Sequence, residues 1–345
     1  MIELGIGMFG DLQIDEKTGY VQSPQQRLAE IVEEVKLMDE LGIDFFGIGE
    51  HHRKDYAVAS PEILLAALST VTKKIRLGSA VSVLSSADPV KLFQDFATVD
   101  LLSNGRAEIM AGRGSFIESF PLFGQNLQDY DELFDEKLRL LLRLIEEEIV
   151  SWKGKFRPEL KNQLIFPRPQ QEKLPVWIAV GGTPASVVRA GKLGLPVMFA
   201  IIGGRWQDFK PLFEYYKQAY LDSGHFAEDF QVGVHIHSFF GEDGPAVANS
   251  YFPHYSGQMD RIGRTRNWPP YRKENYDYGR TLPGHLIIGD AEQSAEKIVM
   301  VIKELGLTRF SAHMDVGSPS HKDMMKAIEI YGNHIIPMVK REILA

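Results

Sequence analysis

Apolar and polar positions along this chain switch repeatedly between two periods. Short apolar runs of strand length alternate with longer stretches in which apolar residues recur every three or four positions. Residues 2–8 read as a first strand. Ser23-Pro24-Gln25-Gln26 then reads as a capping box with proline at the first helical position. Leu28, Ile31, Val32, Val35, Met38 and Leu41 continue a helical stripe that Gly42 ends. The same alternation predicts strands over 45–48, 76–80, 107–111, 176–179, 197–201, 231–239 and 309–313. Helices are predicted from Ser60-Pro61 to about 72, over about 89–102, around Leu133–Ile145, over about 206–221, after Gly244, and over about 323–339.

That is eight strand–helix units. Strict alternation implies a parallel sheet with helices outside, and eight repeats imply closure into a (β/α)8 TIM barrel. The chain is read as one domain, 1–345. Two segments exceed the minimal barrel. Residues 149–173, with Trp152, Pro158, Pro167 and Pro169, predict an irregular or hairpin excursion before strand five. Residues 251–285 follow strand seven and are rich in tyrosine and arginine. At the C-terminal mouth of a barrel such an insertion reads as a lid or substrate wall. Its composition suggests a flat or anionic substrate.

Composition narrows the classes. The formal net charge is −8, which argues against nucleic acid or an anionic membrane as main partner. The chain has no cysteine, so disulfides, thiolate metal sites and a cysteine nucleophile are excluded. No secretory leader and no membrane-length apolar run is visible, so a cytoplasmic location is expected. No G-x-G-x-x-G follows strand one, which weakens a classical dinucleotide site.

The candidate chemistry gathers just past the strands. Val180-Gly181-Gly182-Thr183-Pro184-Ala185-Ser186 joins strand five to a helix. Gly181 and Gly182 let a ligand approach the backbone, Thr183 reads as the N-cap, and Pro184 opens the helix. Free amides and the positive end of the helix dipole make this a phosphate-shaped turn. Arg113, between two glycines after strand four, supplies a fork for the same phosphate. Small residues at Gly78, Ser79 and Ala80 leave room for a flat ring. Glu50 and His51, after strand two, read as a polar pair able to move protons near neutral pH. A competing pattern is His235, His237, His313 and Asp315, which could bind zinc in a barrel hydrolase.

Several motifs in register resemble one family. They are Gly49-Glu50-His51-His52, the run from Arg76 to Leu84 followed by Asp88-Pro89, and Leu101-Leu102-Ser103-Asn104-Gly105-Arg106 leading to Gly112-Arg113-Gly114. Gly182-Thr183-Pro184-Ala185-Ser186, Gly194-Leu195-Pro196 and Ile288-Gly289-Asp290-Ala291-Glu292 complete the set. Together they resemble the bacterial-luciferase-like, flavin-dependent monooxygenases. The resemblance implies a homodimeric (β/α)8 barrel that binds reduced FMN delivered by a separate flavin reductase and uses O2 on a small organic substrate. It implies Arg113, Gly181, Gly182, Thr183 and Ser186 as phosphate binders, with Ser79, Ala80 and Val81 beneath the flavin. It implies a non-prolyl cis peptide at Ala80-Val81. It implies His51 as catalytic base and Glu50 as its neighbour near the ring. A reactive cysteine of the light-emitting subunit is Gly112 here, and the lid does not align, which makes bioluminescence improbable. Two alternatives remain: a deazaflavin (F420)-dependent oxidoreductase of the same fold, and a non-catalytic flavin-binding subunit.

Overall fold

The computed structural model describes residues 2–114 and 116–344. Eight parallel strands close into a barrel: β1 (Glu3–Met8), β2 (Phe45–Ile48), β3 (Arg76–Ser79), β4 (Ala107–Gly112), β5 (Val176–Val180), β6 (Val197–Ile201), β7 (Val232–Phe240) and β8 (Arg309–His313). Each strand pairs with the next, and β8 pairs with β1 through Glu3↔Arg309 to Gly7↔His313. The (β/α)8 expectation holds. The α-helices of eight or more residues are α1 (Pro24–Glu40), α2 (Pro61–Val71), α3 (Pro89–Ser103), α4 (Tyr130–Glu146), α5 (Pro184–Lys192), α6 (Lys210–Asp222), α7 (Gly244–Arg266), α8 (Lys273–Arg280), α9 (Ala291–Leu305), α10 (His321–Ile330) and α11 (Ile336–Leu344). None of them is long and apolar enough to cross a membrane.

Local chemistry explains the boundaries. Ser23 Oγ accepts the amide of Gln26 at 3.1 Å, as a cap should. The reciprocal half of the predicted capping box is absent, because Gln26 Nε2 donates to Glu30 instead. The helix predicted over 206–221 is divided into a 3-10 turn, Trp206–Phe209, and α6, where Pro211 falls in the first turn. The predicted C-terminal helix is likewise divided by a π turn, Tyr331–Ile335, just before Pro337, which has no N–H to continue the ladder. The excursion before β5 contains an antiparallel pair, Ile149–Trp152 with Leu160–Leu164. Within 251–285 the chain is mainly helical, and the insertion begins inside α7. Tyr251, Tyr255 and Tyr276 are buried against the core rather than displayed at the surface.

The barrel interior is layered. At its base the Arg309 guanidinium is paired with Glu108 and Glu3, lying 4.1 Å from the Trp177 ring and 4.4 Å from Phe45. Above this plug the lining divides. The β2–β5 side carries small residues: Gly47, Gly49, Gly78, Ala80, Gly112 and Ala179. Side chains fill the space at some of these positions. A Cβ on Gly112 would meet Val81, and one on Gly47 would meet Ala80. The β7–β8–β1 side carries His235, His237, His313 and Phe9. A Cβ on Gly7 would collide with His235, so glycine there makes room for the imidazole.

Candidate active site

Arg113 and the turn after β5 come together because their strands are hydrogen-bonded neighbours. Ile178 stands opposite Ala111, so the chain two residues further on places Arg113 opposite Val180. Arg113 and Gly181 therefore leave the same rim of the barrel side by side. Among the described residues, the amides of Gly181, Gly182, Thr183 and Ala185 have no hydrogen-bond acceptor. A Cβ built on Gly181 would touch nothing within 4 Å, so the turn is an open cradle. Gly182 has φ +123°, a conformation L side chains rarely adopt, which explains its glycine. The hydroxyls of Thr183 and Ser186 meet at 2.7 Å on the first turn of α5. The Arg113 guanidinium is paired with Asp131 and lies 5.1 Å from the Tyr130 ring. Burial, and to a lesser degree the Arg113 charge, press the pKa of Arg189 downward, as proximity of Arg113 to α5 requires.

Next to the cradle lies an apolar floor of Ala80, Met110, Trp177 and Met198, with Val81 and Ala179 partly exposed above it. The Ala80-Val81 peptide is cis. Ser79 is turned to the neighbouring strand, where its hydroxyl both accepts from the amide and donates to the carbonyl of Met110. An open anion cradle, an arginine and an adjoining flat apolar floor fit the phosphate and ring of a flavin mononucleotide.

Glu50 and His51 do not form the proton pair that the sequence suggested. Successive side chains of an extended segment point to opposite sides. Glu50 accepts from His52 Nε2 at 2.8 Å and from the Val83 amide at 2.7 Å. His51 is buried, and its ring stacks on Tyr56 at 4.2 Å and abuts Phe9 at 4.6 Å. Burial, reinforced by the charge of His313, pushes the His51 pKa down to about 3, so the ring is neutral at physiological pH. Its Nδ1 is buried without a partner. Tyr56 is fixed from behind: Arg261 Nε donates to Gln258 Oε1, and Gln258 Nε2 donates to the Tyr56 hydroxyl.

Asp315 organises the opposite wall. It accepts the amides of Phe9 at 2.9 Å and Gly10 at 2.7 Å, faces Arg27 at 3.5 Å, and takes His313 Nε2 at 3.1 Å. Burial acts to raise its pKa, but the bond and charge of His313, with Arg27 and the Phe9 amide, hold it at about 2. The four residues that suggested zinc have other partners. His235 Nδ1 meets Ser311 Oγ, His237 Nδ1 meets the Tyr255 hydroxyl, and His313 meets Asp315. Among the described residues, the group of three His or carboxylate ligand atoms that does converge is Glu30, Glu34 and His321, where Arg27 already pairs with Glu34.

The luciferase-like monooxygenase family profile matches residues 8–309 of this sequence. The chain belongs to that family. Solved structures of similar fold include a monooxygenase from Streptomyces bottropensis, with a TM-score of 0.83 at 21% identity, aligned over 97% of this chain and 99% of that one. They also include the oxygenating constituent of 3,6-diketocamphane monooxygenase from Pseudomonas putida, solved with FMN, with a TM-score of 0.76 at 18% identity over 97% and 98% of the two chains. An F420-dependent glucose-6-phosphate dehydrogenase of Amycolatopsis mediterranei is 30% identical over 190 residues, 52% of this chain and 55% of the relative. The match thus spans about half the length of that curated relative. One of these proteins is thus solved with FMN and another is F420-dependent, and the family places this chain among the luciferase-like monooxygenases and oxidoreductases.

Proposed function

We propose that this luciferase-like protein is the oxygenase component of a two-component system. It takes reduced FMN from a separate reductase and uses O2 to oxygenate a small, flat organic substrate, as a cytoplasmic homodimer. The observation that carries this reading is the side-by-side exit of Arg113 and the open Gly181–Ala185 amides beside an apolar floor. Arg113 and those amides hold the phosphate, with Thr183 and Ser186 closing the first turn around it. Val81, Ala80 and Ala179 present the surface on which the ring lies. Bound reduced flavin would supply the two-electron activation of oxygen. His51, neutral and clamped by Tyr56, receives or returns a proton at the reacting centre. Glu50 shapes the rim through His52 and the Val83 amide rather than acting on His51. The insertion, 251–285, closes the mouth and excludes water.

The test is purified protein with FMN, a flavin reductase and isotopically labelled O2 over a substrate panel, beside binding titrations of reduced FMN and reduced F420. Label in the product, with FMN bound more tightly than F420, is the expected result. Tighter F420 binding with oxygen-independent reduction of a substrate would replace this reading.

A further inference from the structure

The histidine half of the barrel mouth holds polar atoms that neither the flavin cradle nor His51 explains. His313 Nδ1 and His235 Nε2 are buried and unpartnered, and His51 Nδ1 is a third such atom. Their rings surround one side chain. Phe9 lies 4.1 Å from His313, 4.6 Å from His51 and 5.8 Å from His235. A buried polar atom left without a bond costs about 1–3 kcal/mol, so three around one ring mark a place where water or a ligand with hydrogen-bonding groups is held.

The roles of the His313 nitrogens are fixed. Asp315 is a buried carboxylate that already accepts from backbone amides and faces Arg27, so it can only accept from His313 Nε2. Nε2 therefore carries a proton, and whenever the ring holds that proton alone Nδ1 is an acceptor. An acceptor needs a donor, so the group facing it bears an O–H or N–H. The surroundings select further. Of the arginines around these rings, Arg27 is paired with Glu30, Glu34 and Asp315, and Arg53 with Asp55 and Glu118. Neither is left to recognise an anion. Phe9, Tyr56 and Phe116 supply rings around His51.

We propose that the substrate is a neutral hydroxyaromatic compound whose hydroxyl donates to His313 Nδ1, with His313, oriented by Asp315, as the base that ionises it. The partly buried Phe9 turns aside to admit the hydroxyl. The O–H bond breaks, the proton goes to Nδ1, and the electron pair remains on oxygen as a phenolate. The imidazolium is neutralised by Asp315, and His235 and His237 from β7 and His51 beyond β2 are the other titratable groups that face it. An electron-rich phenolate is the form an electrophilic oxygen donor attacks. This inference deepens the oxygenase reading and rests on it, but its test does not.

The test is titration of 4-nitrophenol into the protein, with and without FMN, at a pH below the phenol's own pKa. The wild type is expected to convert bound ligand to the phenolate absorbance, and 4-nitroanisole, which lacks the hydroxyl, to bind at least about tenfold more weakly. His313→Gln is expected to keep its circular dichroism and lose the phenolate band. His313→Asn serves if that variant fails to fold. Bound nitrophenol that stays neutral in the wild type, a phenolate band that survives in the His313 variants, or an ether that binds as well as the phenol would each overturn the proposal. The flavin-free arm reports on His313 alone, whereas a wrong cofactor assignment shows only in the FMN titration.

Discussion

Arg113 is held by Asp131, a residue of α4, beside the open end of the helix that begins at Pro184. The carboxylate occupies the guanidinium that a phosphate would take. Asp131 is 73% exposed on its side chain, so this pair is weak and readily exchanged. Arg113→Ala is expected to weaken FMN about 10- to 100-fold while leaving riboflavin within about threefold, because a charge-assisted bond is worth about 1.5–3 kcal/mol. Asp131→Asn is expected to tighten FMN by no more than about fivefold. Fluorescence titration of both ligands checks both variants, and equal losses for FMN and riboflavin in the arginine variant would remove the phosphate from this rim.

Gly182→Ala places a Cβ where φ is +123°. Space is not the obstacle, since the nearest side-chain atom is 3.9 Å away. The backbone is. The turn is expected to relax and its amides to leave the cradle, at a cost of about 1–2 kcal/mol in FMN affinity. The same titration, set beside the unfolding midpoint, separates lost binding from lost stability.

His51→Gln is expected to lower turnover by about 10²-fold or more and to leave FMN affinity within about threefold. Single-turnover oxidation of a substrate by the reduced complex measures this. Turnover within about threefold of wild type would take His51 out of the chemistry and leave it as a packing partner of Tyr56.

Acid stability follows from the buried histidines. Unfolded, each takes up a proton near pH 6.5, whereas in the fold burial holds His51 to about 3 and His285 to about 4. Between those values the unfolded chain binds more protons than the folded one. The contribution of these histidines is complete above about pH 6.5 and falls on acidification by about 1.4 kcal/mol per pH unit for each. Urea unfolding between about pH 4.5 and 6.5 should show this slope, and His285→Gln should reduce it by about one proton.

Glu108→Gln removes the charge that faces Arg309 inside the barrel, where both side chains are nearly inaccessible. A loss of about 3 kcal/mol is expected, because the guanidinium stays buried with Glu3 as its remaining carboxylate. The denaturant midpoint at constant slope measures it.

The barrel was legible because each strand is a compact apolar run and each helix a long periodic one, so the count of eight survives errors at the boundaries. The turn at Gly181–Ser186 was legible because its glycines, N-cap and proline are contiguous. Glu50 and His51 were misread for a converse reason. Adjacency in sequence suggests contact, yet neighbours in extended backbone face apart, and the partner of Glu50 is His52. His313 and Asp315 stood out only as possible metal ligands. Their roles depend on amides of Phe9 and Gly10, some 300 residues away in the chain, which no local pattern reports. Gln258 on Tyr56 is hidden likewise, although two uncommitted polar residues facing inward at helical spacing, Gln258 and Arg261, are a weak signal. The tyrosines of the insertion suggested a displayed wall, but helical periodicity turns Tyr251 and Tyr255 inward.

The stopper formed by Arg309, Glu108, Trp177 and Phe45 makes the cylinder a blind well rather than a pipe. Whatever enters the interior must therefore come and go by the opposite rim.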